Sequence, residues 1–136
     1  MTEQMSVKIA ALPSLRLTVE AHGLMAKKAL GQNFLLDQNI TDKIINLSLQ
    51  KQNKKDFSGA NVFEVGPGPG GLTRAVLAAE PKSLTVVEMD ERCIAIMNEI
   101  KEKTGDILHI INGDAMQTDF FRSCSRSAPY RQQSAL

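Results

Sequence analysis

The sequence predicts an α/β chain, the N-terminal half of a doubly wound parallel sheet. Three observations predict it. First, NVFEV (61–65), SLTVVE (83–88) and ILHIING (107–113) are short, nearly continuous apolar runs, the signature of strands buried on both faces. Second, amphipathic segments of helical period separate them, at 71–79 and 91–103. Third, each apolar run ends in glycines or an acidic residue, which a parallel sheet gathers along one edge.

Taken in order, residues 1–13 read as an irregular lead-in ending at Pro13. Ser14 then caps a short helix with Leu15 and Val19 on one face and Gly23 as its stop. LMAKKALGQNF (24–34) reads as an ordered loop. From Asp37 to Gln50, Ile40, Ile44 and Leu47 recur at helical spacing, with Ile45 widening the stripe. That predicts an amphipathic helix capped by Asp37 or Asn39 with this stripe inward. Leu72, Val76 and Leu77 face inward from the helix after the first strand, and Ile94, Met97 and Ile100 from the helix after the second. After Asp119 the pattern stops. FFRSCSRSAPYRQQSAL has four serines, three arginines, no acidic residue and no period of either kind. The expected division is a lead-in at 1–23, a partial α/β domain at 24–120 and an irregular, non-native tail at 121–136.

Composition narrows the class. At 136 residues the chain suits one domain, and its 43% apolar and 23% charged residues are ordinary for a globular protein. A formal net charge of +1 gives no global basic field, so any nucleic-acid contact must come from local patches. Cys93 and Cys124 lie far apart, without metal or redox spacing, and read as unpaired thiols of a reducing cytoplasm. No apolar run approaches the roughly 20 residues of a membrane helix. The N-terminus has acidic residues and no secretory pattern, so a cytoplasmic location is expected.

The loop after the first strand reads EVGPGPGG (64–71). Glycines let a ligand approach backbone closely, and Gly66, Gly68 and Gly70 form G-x-G-x-G. Pro67 and Pro69 fill the variable positions and remove two N–H donors, which points away from a phosphate ligand and toward S-adenosylmethionine. Glu64 is placed to reach the ammonium of its methionine moiety, directly or through water. Glu88, at the end of the second run, suits ribose hydroxyls. Asp90 reads as a helix cap. Asp114, in GDA at 113–115, suits an adenine amine. Each also has a plain reading, as a tight turn, a solvated strand end and a turn Asp.

LGQNFLLDQNITDKII (30–45), FEVGPGPGGLT (63–73), VVEMD (86–90) and GDA together resemble the small-subunit ribosomal RNA adenine dimethyltransferase family. That family is similar in turn to the erythromycin-resistance RNA methyltransferases. The match covers about residues 24–120, and GQNFL is its most specific part. The resemblance implies a Rossmann-like class I methyltransferase fold with S-adenosylmethionine as cofactor. It implies Asn33 and Leu35 lining the cofactor, Gly66 and Gly68 contacting it in the glycine loop, Glu88 on the ribose and Asp114 on the adenine. The implied reaction dimethylates adjacent adenines near the end of small-subunit rRNA, in the pre-ribosomal small subunit. No metal and no membrane take part, and the full-length family is expected to be monomeric. Lys27 and Lys28 suit either RNA phosphates or a solvated loop.

The sequence departs from the family in one respect that bears on chemistry. An Asn-Leu-Pro-Tyr motif ends the family's fourth strand, where it accepts from the target amine and stacks on the base. It is absent here, and Ser127-Ala128-Pro129-Tyr130 only echoes it, so no catalytic residue is assigned. The expectations are a truncated or frame-shifted product, inactive alone and lacking the later strands. NVFEV would then be an unpaired apolar edge prone to aggregation or dimerisation. The alternative is a non-catalytic cofactor- or RNA-binding module of ribosome assembly. A nicotinamide oxidoreductase is a third reading, disfavoured by the prolines and GQNFL.

Overall fold

The computed structural model describes residues 4–24, 36–117 and 133–135. Helices α1 (Met5–Ala10) and α2 (Leu15–Ala21) form an N-terminal arm, and α3 is Gln38–Lys51. Then β1 (Asn61–Val65), α4 (Gly71–Ala78), β2 (Ser83–Glu88), α5 (Glu91–Thr104) and β3 (Leu108–Asn112) alternate. A 3₁₀ turn spans Ala115–Gln117, and β4 is Gln133–Ala135. The sheet order is β3-β2-β1-β4, every pair parallel. Thus the α/β class and the three strands stand where the apolar runs placed them.

The period of two puts Val62 and Glu64 on one face of β1, level with Leu84 and Val86 of β2 and Leu108 of β3. Those apolar side chains pack with Val76 and Leu77 of α4 and Ile96, Met97 and Ile100 of α5 into the core. Phe63, Thr85 and Val87, on the opposite face, are buried as well. Both faces of the strands are covered, which is why their sequences are apolar almost throughout.

Three expectations are corrected. Residues 5–10 are helical, not irregular; Met5, Ile9 and Leu12 sit at helical spacing, and Ile9 enters the core with Met5 and Leu12 packed against it. Helix α3 turns Thr41, Ile45 and Leu49 inward and leaves Ile40, Ile44 and Leu47 exposed. The two stripes lie one to two positions apart and share Ile45 at their border. The buried one tolerates Thr41 because its hydroxyl is satisfied, donating to the Gln38 carbonyl and accepting from Gln38 Nε2. Third, β1 is not an edge: Asn61, Val62 and Phe63 pair with Gln133, Ser134 and Ala135. Ladder bonds come from the backbone, so a polar segment can supply them.

The arm is tied to the helical layer by side chains. Arg74 of α4, buried, donates to the Pro13 carbonyl at 2.6 Å and to Thr18 Oγ1 at 3.2 Å. Its Nε has no partner, and burial lowers its pKa. His22 contacts Glu99 Oε1 at 3.0 Å, and Arg92 donates to the Gly23 carbonyl at 3.4 Å. Ser14 caps α2 by accepting from Leu17 N, as its position before Leu15 predicts.

Candidate functional site at the C-terminal edge of the sheet

The parallel ladder does more than align β1, β2 and β3; it continues past them. Gly66 N–H donates to the Val87 carbonyl at 2.9 Å, and Gly113 N–H donates to the Glu88 carbonyl at 2.9 Å. The glycine loop, Glu88 and the Gly113-Asp114 turn are thereby stitched side by side along one edge.

The loop from β1 to α4 folds as a tight turn in which Gly70 N–H donates to the Pro67 carbonyl at 3.0 Å. Gly66 and Gly68 hold positive φ of 65° and 57°, and a Cβ on either would meet nothing within 4 Å. Their backbone therefore faces open space. Gly70, at φ 94°, is different: a Cβ there would come within 2.9 Å of Ile100 Cδ1 and 3.0 Å of Met97 Cε. This glycine lets the turn sit directly on α5.

Beneath the turn, Glu64 is only 4% exposed. Its Oε1 accepts from the Thr73 hydroxyl at 2.6 Å. Burial, with a smaller push from the Glu88 carboxylate, raises its pKa to about 7 despite the Thr73 bond. Glu88 lies in a different setting. Its Oε1 accepts from Gly68 N at 3.2 Å and its Oε2 from Met89 N at 2.8 Å and Asp90 N at 3.1 Å. A carboxylate offers about four acceptor positions, so an incoming hydroxyl can still be received. Asp90 caps α5 by accepting from Arg92 N at 2.8 Å. Its pairing with the Arg92 guanidinium, at 2.8 Å, pulls its pKa down to about 2. Asp114 Oδ1 accepts from Met116 N at 2.8 Å, which fixes the start of the 3₁₀ turn.

Exposed apolar side chains accompany these acceptors. Val65 ends β1, Met89 follows β2, and Met116, 91% exposed, follows β3. The edge alternates carboxylates with nonpolar surface, which suits a ligand carrying hydroxyl or amine donors on a flat, weakly polar body. Among the described residues no group of three or more His, Cys, Asp or Glu side chains could hold a metal. No described helix is long and apolar enough to cross a membrane.

Of the expected site residues, Gly66, Gly68, Glu88 and Asp114 are brought together here. Asn33 and Leu35 lie outside the described residues, as do Lys27, Lys28, Cys124 and Ser127 to Tyr130. Cys93 is a free, buried thiol whose pKa burial pushes up to about 11, consistent with an inert side chain. Two neighbours of the site escaped sequence reasoning. Thr73 is the donor to Glu64, and Gln38 Nε2 donates to the Gly71 carbonyl at 3.1 Å from the start of α3. Only the hydroxyl in GGLT hinted at the first; nothing local signals the second. A cavity of about 960 Å³ lies elsewhere, between the arm, the start of α3 and Arg74 of α4. None of the four clustered residues lines it, so size alone does not identify the site.

A family model described as ribosomal RNA adenine dimethylase matches residues 23–135. A ribosomal RNA small subunit methyltransferase A of Allorhizobium ampelinum is 51% identical over 109 residues, covering 80% of this chain and 38% of its own. The protein of that name from Mesorhizobium japonicum is 47% identical over 114 residues, covering 84% and 39%. That from Agrobacterium fabrum is 45% identical over 123 residues, covering 90% and 42%. The chain thus spans about two fifths of the length of these relatives. A crystal structure of a proposed RNA methyltransferase from Pyrococcus horikoshii superposes with a TM-score of 0.50 at 17% identity. It covers 88% of this chain and 53% of its own, and supports the fold alone.

Proposed function

The chain belongs to the ribosomal RNA adenine dimethylase family, and from that premise we propose that its described edge is the cofactor-binding half of an rRNA adenine methyltransferase. The observation that carries this reading is the stitching of Gly66, Glu88 and Gly113 into one edge with open space above Gly66 and Gly68. S-adenosylmethionine fits the donor set. Gly66 and Gly68 allow close approach, Glu88 accepts from ribose, Asp114 accepts from the adenine amine, and Val65, Met89 and Met116 supply nonpolar contact. Asn33 and Leu35 complete the proposed set. When bound, the cofactor supplies an electrophilic methyl group on a sulfonium. This chain's own residues bind, orient and shield it.

The proposed substrate of the family reaction is adjacent adenines near the end of small-subunit rRNA. Transfer needs an acceptor for the amine protons and a surface to hold the base out of its stack. The Asn-Leu-Pro-Tyr motif that the resemblance assigns to that task is absent from this sequence. We therefore assign cofactor binding, without methyl transfer, to this chain alone. A second reading is a non-catalytic cofactor- or RNA-binding module of ribosome assembly. Two assays separate the possibilities. Equilibrium dialysis with labelled S-adenosylmethionine is expected to show saturable binding, with NADH as the negative control; NADH binding in its place would overturn the cofactor assignment. Undermethylated small subunits are expected to gain no label from this chain, and incorporation would overturn the assignment of binding alone.

A further inference from the structure

We propose that the cofactor is captured in exchange for a proton, with Glu64 held as a neutral acid beneath the glycine turn until the ligand's ammonium arrives. The inference rests on the cofactor reading above and concerns the regulation of that site. The geometry comes first. Glu64 is the penultimate residue of β1, on the face shared with α4 and α5, and almost fully buried. From α4 it meets a neutral donor, the Thr73 hydroxyl. From β2 the charged group acting on it is Glu88, an anion. Arg74, next to Thr73, directs its guanidinium to Pro13 and Thr18. From α5 the turn is met by Met97 and Ile100, both apolar. Among the described residues the ion pairs are His22 with Glu99 and Arg92 with Asp90, and neither involves Glu64.

A carboxylate in that position lacks a counter-ion, and burial raises its pKa to about 7. A ligand carrying an ammonium supplies the missing charge. The proton then leaves Glu64 for solvent, and the ammonium pairs with the carboxylate it leaves behind. Glu88, held by three backbone N–H groups at the open edge, is already assigned to the ribose hydroxyls. If only the ionised form is competent, apparent affinity falls with the ionised fraction. S-adenosylmethionine should then bind about tenfold more tightly at pH 8 than at pH 6.

Calorimetry tests this on the chain as it stands. Titrations in two buffers of different ionisation enthalpy count the protons released. S-adenosylmethionine is expected to release roughly one proton at pH 6 and almost none at pH 8. Methylthioadenosine, which lacks the amino acid moiety, is expected to release none at either pH. The E64Q variant is expected to bind S-adenosylmethionine with no pH dependence between 6 and 8. Equal affinity and zero proton release for wild type at both pH values would overturn the exchange while leaving the cofactor reading intact. Absence of any binding at either pH would overturn both. The two-ligand comparison uses wild type only, so it stands whether or not the variant folds.

Discussion

The glycine turn has a floor and a rim, and they obey different physics. The floor is Glu64, Thr73 and Gly70, closed against α5. The rim is Gly66, Gly68, Glu88 and Met89, facing the open edge. Floor residues are constrained by what already touches them, so changes there should register as stability and pH dependence. Rim residues are constrained by what can approach, so changes there should register as binding. Glu64 belongs to both, because the proton exchange proposed for it links the floor to the ligand's ammonium.

The largest expected effect lies in the floor. The pKa of Glu64 is raised in the folded protein, from 4.5 to about 7. Its contribution is therefore full below pH 4.5 and is lost as pH rises through 7, a swing of about 3 kcal/mol. Relative to E64Q, wild type should lose that much stability between pH 4.5 and 8 in urea titrations. Parallel stability curves for the two proteins would break the distinction. Next, Gly70→Ala combines a positive φ with a clash against Met97 and Ile100. It should cost about 2 kcal/mol by thermal unfolding, whereas Gly66→Ala, strained but unobstructed, should cost about 1 kcal/mol.

On the rim, Glu88→Ala should weaken cofactor binding at least about tenfold, about 1.4 kcal/mol. It frees three backbone N–H groups as well as removing an acceptor, so binding should fall further than in Glu88→Gln. The smallest effect is expected from Met89→Ser. Being exposed, it should change stability by less than about 0.5 kcal/mol while measurably weakening cofactor binding. A rim substitution that unfolds the chain, or a floor substitution that alters only binding, would show that the two layers are not separate.

Much of this rim was legible in the sequence, because the information is local. Five- and six-residue apolar runs fix β1 to β3, and each acceptor ends or closely follows its strand. Parallel register then brings those ends level without further instruction. The floor was only partly legible. The position of Glu64 was readable, but its hydroxyl partner and lack of a counter-ion depend on which way α4 and Arg74 turn. Helix α3 offered two adjacent stripes, and the richer one in isoleucine faces outward because packing against α4 selected the stripe containing Thr41. The arm and β4 were hidden for a different reason. Within its six residues α1 shows its spacing only through Met5 and Ile9, one repeat and no more, and Gln133–Ala135 joins the sheet through backbone groups that every residue possesses.

The hydrogen bonds of Gly66 and Gly113 beyond the last strand residues carry one more consequence. Binding loops usually lose conformational freedom when a ligand immobilises them, and that loss subtracts from affinity. Here the two amides are anchored to the carbonyls of Val87 and Glu88. At those two points the backbone is held by the sheet itself, so ordering them belongs to folding and not to recognition.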